Sequence, residues 1–227
     1  MCGRFTQFSD PQLLFSHFSL AQSPHNLSPH YNIAPTQQIA IIREIAGIGR
    51  HLDYAHWGLI PSWSKSSESS RHLINARAET IAEKPAFRHA YRHKRCLIPA
   101  DGFYEWGVTD NGKQPWWIAL ADKSPFAFAG LWEHWESPED GHLIESCTII
   151  TTKANRQIRA IHERMPLIIS PEHYSAWLDP GNDNPLQLQA MLAPFEGELH
   201  LHPVSRAVNS PLKDNSHLIE AVNLDGE

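Results

Sequence analysis

The chain has no long hydrophobic run. None of its 227 residues form an apolar stretch approaching the roughly 18 or more residues of a membrane-spanning helix. No apolar signal-peptide region follows the N-terminus, so no membrane partner is expected and Cys2 does not read as a lipoprotein cysteine. Glycine stands at position 3 and not at position 2, which excludes N-myristoylation. Cysteine is scarce: Cys2, Cys96 and Cys147 are an odd set with no CxxC spacing. That set argues against a disulfide framework and for a reducing compartment, the cytoplasm (with the nucleoid if the source is bacterial), with Cys96 and Cys147 buried in apolar strands. The Asn26-Leu27-Ser28 sequon then carries no meaning. GxxxxGK[ST], GxGxxG, HExxH and GxSxG are all missing, so the common nucleotide, zinc-protease and hydrolase readings lack their signatures. No internal repeat and no Gly/Ser or charge-rich linker divides the chain. Residues 1–227 therefore read as one domain, expected to be a monomer.

Histidine is abundant, at 15 residues. His89 and His93 stand four apart and His200 and His202 share a strand face, but neither pair has a third ligand at metal spacing. No metal and no other cofactor is expected. A hydrophobic content of 41% and a charged content of 19% describe an ordinary globular protein. The net charge of −6 argues by itself against nucleic acid, yet the charges are segregated. Residues 71–95 hold Arg71, Arg77, Lys84, Arg88, Arg92, Lys94 and Arg95 against Glu79 and Glu83, and 153–164 hold Lys153, Arg156, Arg159 and Arg164 against Glu163. Such a basic zone can form one face.

Ser9-Asp10-Pro11 starts a helix whose apolar face is Leu13, Leu14, Phe15 and Phe18. Residues 21–31 read as loop, and the serine-rich patch 64–70 as a mobile surface loop. Strands are expected over 38–43, 52–57, 95–99, 116–121, 126–132, 146–152, 164–169 and 198–204, and short helices over 78–92, 154–161, 171–178 and 185–192. Strands in adjacent runs without a regular βαβ alternation make the class α+β.

Position 2 is the most informative. The chain opens Met-Cys-Gly-Arg-Phe, and a small residue after Met1 permits its removal, leaving Cys2 with a free α-amine beside its thiol. An α-amine titrates near about 7.7–8.0, so part of it is neutral and nucleophilic in the cell, whereas a lysine near about 10.4 needs help from its surroundings. The pair condenses with an aldehyde to a Schiff base, and the thiol then closes a thiazolidine ring. Other segments combine polar groups with apolar neighbours: Leu73 to Glu79, where Asn75 and Arg77 alternate with apolar residues; Pro99 to Trp106, where Glu105 sits among aromatics; and Ile161 to Pro166, with His162 and Arg164.

Together with Cys2 these segments resemble the SRAP family of SOS-response-associated proteins. The resemblance runs nearly the full chain: MCGRF at the start, YNIAPT (31–36), WGLIPSW (57–63), INARAET (74–80), ADGFYEW (100–106), IITTKA (149–154), IHERMP (161–166) and HPVSRAVN (202–209). It implies a twisted, mostly antiparallel, barrel-like sheet flanked by short helices. It also implies covalent capture of abasic sites in single-stranded DNA, with Cys2 closing a thiazolidine on the sugar aldehyde. His162 would move the proton that opens the sugar ring, Glu105 would relay protons at the Cys2 amine, and Asn75 would orient the terminal residue. Arg4, Arg77 and Arg164 match phosphate-contacting positions, with Arg206 and Thr151 added, and Trp63, Trp106 and Pro35 would stack on or wedge beside flanking bases. A weak lyase side activity and reversal of the crosslink go with a Schiff-base route. One departure is Ser64, which stands where a second tryptophan follows the first. Two other readings stay open: a thiol peptidase or amidase of the N-terminal-nucleophile type, and a non-covalent single-strand binder in which Cys2 is dispensable.

Overall fold

The apolar run FAFAGLW has no polar face and must be covered on both sides, and that requirement organises the molecule. The computed structural model describes residues 2–24, 27–110 and 112–223, apart from the side chain of Ser69; Met1 and the Asn26 of the sequon lie outside the described residues. In chain order the elements are β1 (Phe5–Gln7), α1 (Pro11–Phe18), β2 (His30–Ile33), β3 (Gln38–Ile45), β4 (Gly49–Trp57), β5 (Asn75–Arg77), α2 (Arg88–His93), β6 (Arg95–Ala100) and β7 (Gly102–Thr109). They continue with β8 (Gly112–Leu120), β9 (Phe126–Glu136), β10 (Leu143–Lys153), β11 (Arg164–Pro166), β12 (Ile168–Ile169), α3 (Tyr174–Leu178), α4 (Pro185–Ala190) and β13 (Leu199–Pro203). No helix among the described residues is long and apolar enough to cross a membrane.

β4, β3, β6, β9 and β10 pair in that order, and β10 returns to β4 in parallel, which closes a ring. Alternate residues of these strands (Ile39, Ile41, Ala55, Trp57, Cys96, Ile98, Phe128, Cys147, Ile149) share one buried cluster, as the period of two in a strand requires. Leu97, Ala127, Ala129, Leu131 and Ile150 belong to a second cluster with Leu14, Phe18, Tyr91, Trp177 and Leu188 of the helices. The other sheet runs β13-β8-β7-β1-β2 and joins the first cluster through Phe5, Phe103 and Ile118. The α+β class and the barrel-like core agree with expectation.

β10 outruns the ring. Its first half pairs with β9 up to Ile149, and its last residues pass to β5 in parallel (Ile149↔Asn75, Thr151↔Arg77) and to β11 in antiparallel (Lys153↔Arg164). The two short strands that carry site residues are thus clamped on either side of one long one.

Several expectations need correction. The helix placed over 78–92 shrinks to α2, because Pro85 bars its predecessor Lys84 from a continuing helix; the chain from 78 to 87 makes turns. The helix placed over 154–161 is a run of turns, because the Asn155 side chain accepts from the backbone of Gln157 and Ile158, both at 3.0 Å. The serine-rich patch is not a free loop: Ser67–His72 form a 3₁₀ turn and Ser70 is buried. Gly58 allows that approach, since its φ of +144° suits glycine and a Cβ there would collide with the Ser70 carbonyl oxygen. The loop placed over 21–31 gives way at His30 to β2, and the strand placed over 164–169 is interrupted at Leu167 between β11 and β12. At the start of α1, Asp10 caps as expected by accepting from Gln12 N at 2.8 Å, but only Leu14 and Phe18 are fully buried and Leu13 is exposed.

Candidate active site and nucleic-acid face

The N-terminal segment is fixed from both ends. Phe5 is fully buried edge-on against Trp57 and Phe128, at ring separations of 5.3 and 5.7 Å. Antiparallel pairing with β7 sets the register, with Tyr104 N donating to Arg4 O at 3.0 Å. Beyond Phe5 the chain leads to Cys2, which has no solvent exposure. Asn75 reaches it from β5: its Nδ2 donates to the Cys2 carbonyl oxygen at 2.9 Å, while its Oδ1 is buried with no hydrogen-bond partner among the described residues. β5 is itself pinned where Trp57 Nε1 donates to Ile74 O at 3.0 Å.

β7 supplies Glu105, a buried carboxyl whose pKa is raised by burial and pulled back in part by the charge of nearby His162. The Cys2 thiol is also pushed up, first by burial and then by Glu105, so it stays protonated at neutral pH. His162 follows the 156–161 turns, and its Nδ1 accepts from Arg164 N at 3.0 Å with the Arg164 carbonyl oxygen 3.1 Å away. Nδ1 can accept from that backbone N–H when it is unprotonated, or donate to the carbonyl when it carries a proton. Both charge states of His162 have a partner. The structure therefore brings Cys2, Asn75, Glu105 and His162 into one neighbourhood from four distant parts of the chain.

The expected DNA-contacting residues divide. Arg77 is exposed and shares a face of β5 with Asn75, two residues away. Arg206 is exposed at the first position of the 206–209 turn, and Trp63 stands 68% exposed. Pro35 is half-buried in a turn whose next residue, Thr36, has a φ of +74°. A cavity of about 460 Å³ lined by Thr36, His56, Ile60, Ser70 and Arg71 opens between that turn and the serine-rich segment. Other positions already have work inside the fold. Arg4 donates to Asn32 Oδ1 at 2.8 Å and to the carbonyls of Val208 and Asn209 at 2.6 and 3.2 Å, and burial lowers its pKa. Trp106 Nε1 donates to Asn209 Oδ1 at 2.8 Å. Thr151, expected at the DNA, is fully buried in β10, and its hydroxyl lies between Ala76 O and Arg164 Nη2. No part of the side chain is exposed, and its hydroxyl is held inside the fold.

Arg164 is engaged by a residue that sequence reasoning passed over. Its Nη1 and Nη2 donate to the two carboxylate oxygens of Glu79 at 2.6 and 3.0 Å, and Nη2 also donates to Thr151 O at 2.7 Å. The only sequence signal was the lone acid of the INARAET segment. Asn32 is a second omission, since its Nδ2 lies within hydrogen-bond reach of the carbonyls of Val208, Ser210 and Lys213. That amide ties the 206–209 turn to β2 and, through Arg4, to the N-terminal segment.

An amide, a carboxyl and an imidazole gathered about a near-terminal cysteine, with arginines to one side, define an α+β protein built around that cysteine. The chain belongs to the SOS response associated peptidase (SRAP) family, whose model matches residues 1–211. It is 44% identical over 226 residues to the abasic site processing protein YoqW of Bacillus subtilis (strain 168), covering 97% of this chain and 100% of that one. It is also 44% identical to the abasic site processing protein YoaM of the same organism, covering 98% and 99%. Among solved structures, a protein from Bacteroides thetaiotaomicron superposes with a TM-score of 0.87 at 26% identity, over 98% of this chain and 100% of that one.

Proposed function

We propose that this protein captures abasic sites in single-stranded DNA by forming a thiazolidine on Cys2 after Met1 is removed. The observation that carries the reading is the 2.9 Å hydrogen bond from Asn75 to the Cys2 carbonyl, which holds that residue where the Glu105 charge acts on its thiol. The names of YoqW and YoaM support the choice of lesion.

The open form of an abasic sugar exposes an aldehyde at C1′. The Cys2 amine attacks that carbon, the carbonyl oxygen departs as water after two proton transfers, and an imine remains. The thiol then adds: a C–S bond forms and the thiol proton passes to the imine nitrogen. The sum is loss of one water with no change of oxidation state. His162, supported in both charge states, moves the proton that opens the sugar ring. Glu105 keeps a proton more readily than an exposed carboxyl, which suits it to dehydrating the carbinolamine and returning a proton to nitrogen. Asn75 orients without competing as a base.

Arg77, Arg164, Arg206 and the half-buried Arg4 hold the phosphates, and Thr151 acts only through Arg164. Trp63 offers an open face to a base, with Pro35 and Trp106 bordering the strand. The imine permits β-elimination of the 3′ phosphate, so the activity is lyase-like, and ring closure suppresses it. The protein works as a single-domain monomer in the cytoplasm. A thiol peptidase or amidase is the less favoured reading beside the abasic site processing names of YoqW and YoaM.

The test is intact mass of the purified protein, then denaturing electrophoresis with single-stranded DNA bearing one abasic site, comparing wild type with Cys2→Ser. A protein lacking Met1 should give a heat-stable shifted band that is lost or labile in Cys2→Ser. No band from protein lacking Met1 refutes covalent capture.

A further inference from the structure

The Arg164–Glu79 pair has the form of an occupied phosphate site. Two guanidinium nitrogens meet two carboxylate oxygens side by side, at 2.6 and 3.0 Å, the fork geometry by which arginine also takes a phosphate. The two partners are held unequally. The Arg164 side chain is 18% exposed and anchored to the Thr151 carbonyl oxygen at 2.7 Å, whereas the Glu79 side chain is 40% exposed. The arginine is the more firmly held of the two. The Arg164 hydrogen bonds hold Glu79 below the usual carboxylate range, with a smaller contribution from Lys153, so it is ionised whenever the protein is at neutral pH. Glu79 lies two residues beyond the exposed Arg77, between two of the cations offered to the strand.

We infer that Glu79 is a specificity-determining residue: its carboxylate occupies the guanidinium of Arg164 and has to be displaced by a backbone phosphate of single-stranded DNA. The inference rests on the reading of this face as the DNA site. Displacement costs affinity equally for intact and abasic strands. Only the abasic strand recovers the loss, because its aldehyde is trapped covalently. The carboxylate therefore lowers residence on undamaged DNA without lowering the final yield of crosslink.

The experiment measures equilibrium binding to intact single-stranded DNA across a salt series, with crosslink yield on abasic DNA measured in parallel. The chains are wild type, Glu79→Gln and Glu83→Gln. Glu83 is an exposed acid of the same basic segment with the same charge, and among the described residues no arginine forms a salt bridge with it. Glu79→Gln should bind intact DNA about two- to fivefold more tightly, the scale of an exposed ion pair. Its logarithmic salt slope should steepen by up to about 0.7, because the carboxylate freed in wild type takes up a cation as the phosphate arrives and the glutamine does not, and its final crosslink yield should match wild type. Glu83→Gln should change affinity by less and leave the slope alone. Glu79→Gln binding no tighter than wild type, while crosslinking normally, overturns the inference: Glu79 would then merely support Arg164. Failure of wild type both to bind and to crosslink overturns the underlying DNA reading as well.

Discussion

Replacing Asn75 by alanine removes one hydrogen bond to the Cys2 carbonyl, 2.9 Å long, and adds no new contact. A neutral hydrogen bond contributes about 1 kcal/mol net, so stability should fall by about that amount and the melting temperature by about 2–4 °C for a chain of this size. The kinetic effect should be larger. A reacting group displaced by about 1 Å loses about 100-fold in rate, and Asn75 is the side chain that fixes the Cys2 backbone. Single-turnover crosslinking to abasic single-stranded DNA, read by denaturing gel, should therefore slow by about 10- to 100-fold in Asn75→Ala. Asn75→Asp separates geometry from hydrogen-bond polarity. An ionised aspartate has the same shape but only acceptors, so two oxygens confront the Cys2 carbonyl and a second negative charge joins Glu105. At neutral pH it should be slower than alanine. As pH falls the aspartic acid regains a proton and an O–H to donate, so the ratio of the Asp rate to the Ala rate should climb. Either variant crosslinking at the wild-type rate at neutral pH would refute the positioning argument.

Glu105→Gln should abolish or severely slow crosslinking while raising stability. With its folded-state pKa raised by burial, Glu105 favours the fold most below the ordinary carboxylate range, and that contribution is lost as pH rises through the raised value. Glutamine does not titrate, so the melting-temperature gap in favour of the variant should widen from acid to neutral pH. Gly58→Ala forces a side chain into the φ of +144° and against the Ser70 carbonyl, and urea unfolding should show a loss of about 1–3 kcal/mol. Trp63→Ala, at a residue 68% exposed, should leave stability within about 0.5 kcal/mol of wild type. The same change should weaken single-strand binding by about 1–3 kcal/mol if a base stacks there, measured by fluorescence anisotropy.

The strands of the closed ring were legible from their apolar runs, IAII in β3, CLI in β6 and FAFAGLW in β9, whereas β10 buries Ser146, Thr148, Thr151 and Thr152 among its apolar residues. β1 and β5 were not, since a three-residue strand is shorter than any window in which alternation can be recognised. β7 was not expected as a strand, because GFYEWG shows no polar–apolar alternation. The chemistry of the site was legible at Cys2, where the covalent structure decides, and its companions emerged from whole motifs and not from periodicity. What could not be read was pairing across distance. Nothing local in the sequence shows that Thr151 is fully buried, or that Glu79, 85 residues from Arg164, sits on its guanidinium.

A closed ring hides the sticky backbone of its strands, but β10 is longer than the ring and would leave both of its edges bare beyond Ile149. The segments that cover them are β5 and β11, the bearers of Asn75, Arg77 and Arg164. The residues proposed to meet damaged DNA are therefore carried by the pieces that shield the molecule from adding strands to its neighbours. Trimming or loosening either segment to alter the chemistry would also open a template for self-association, so such variants should be lost to aggregation before their altered activity could be selected.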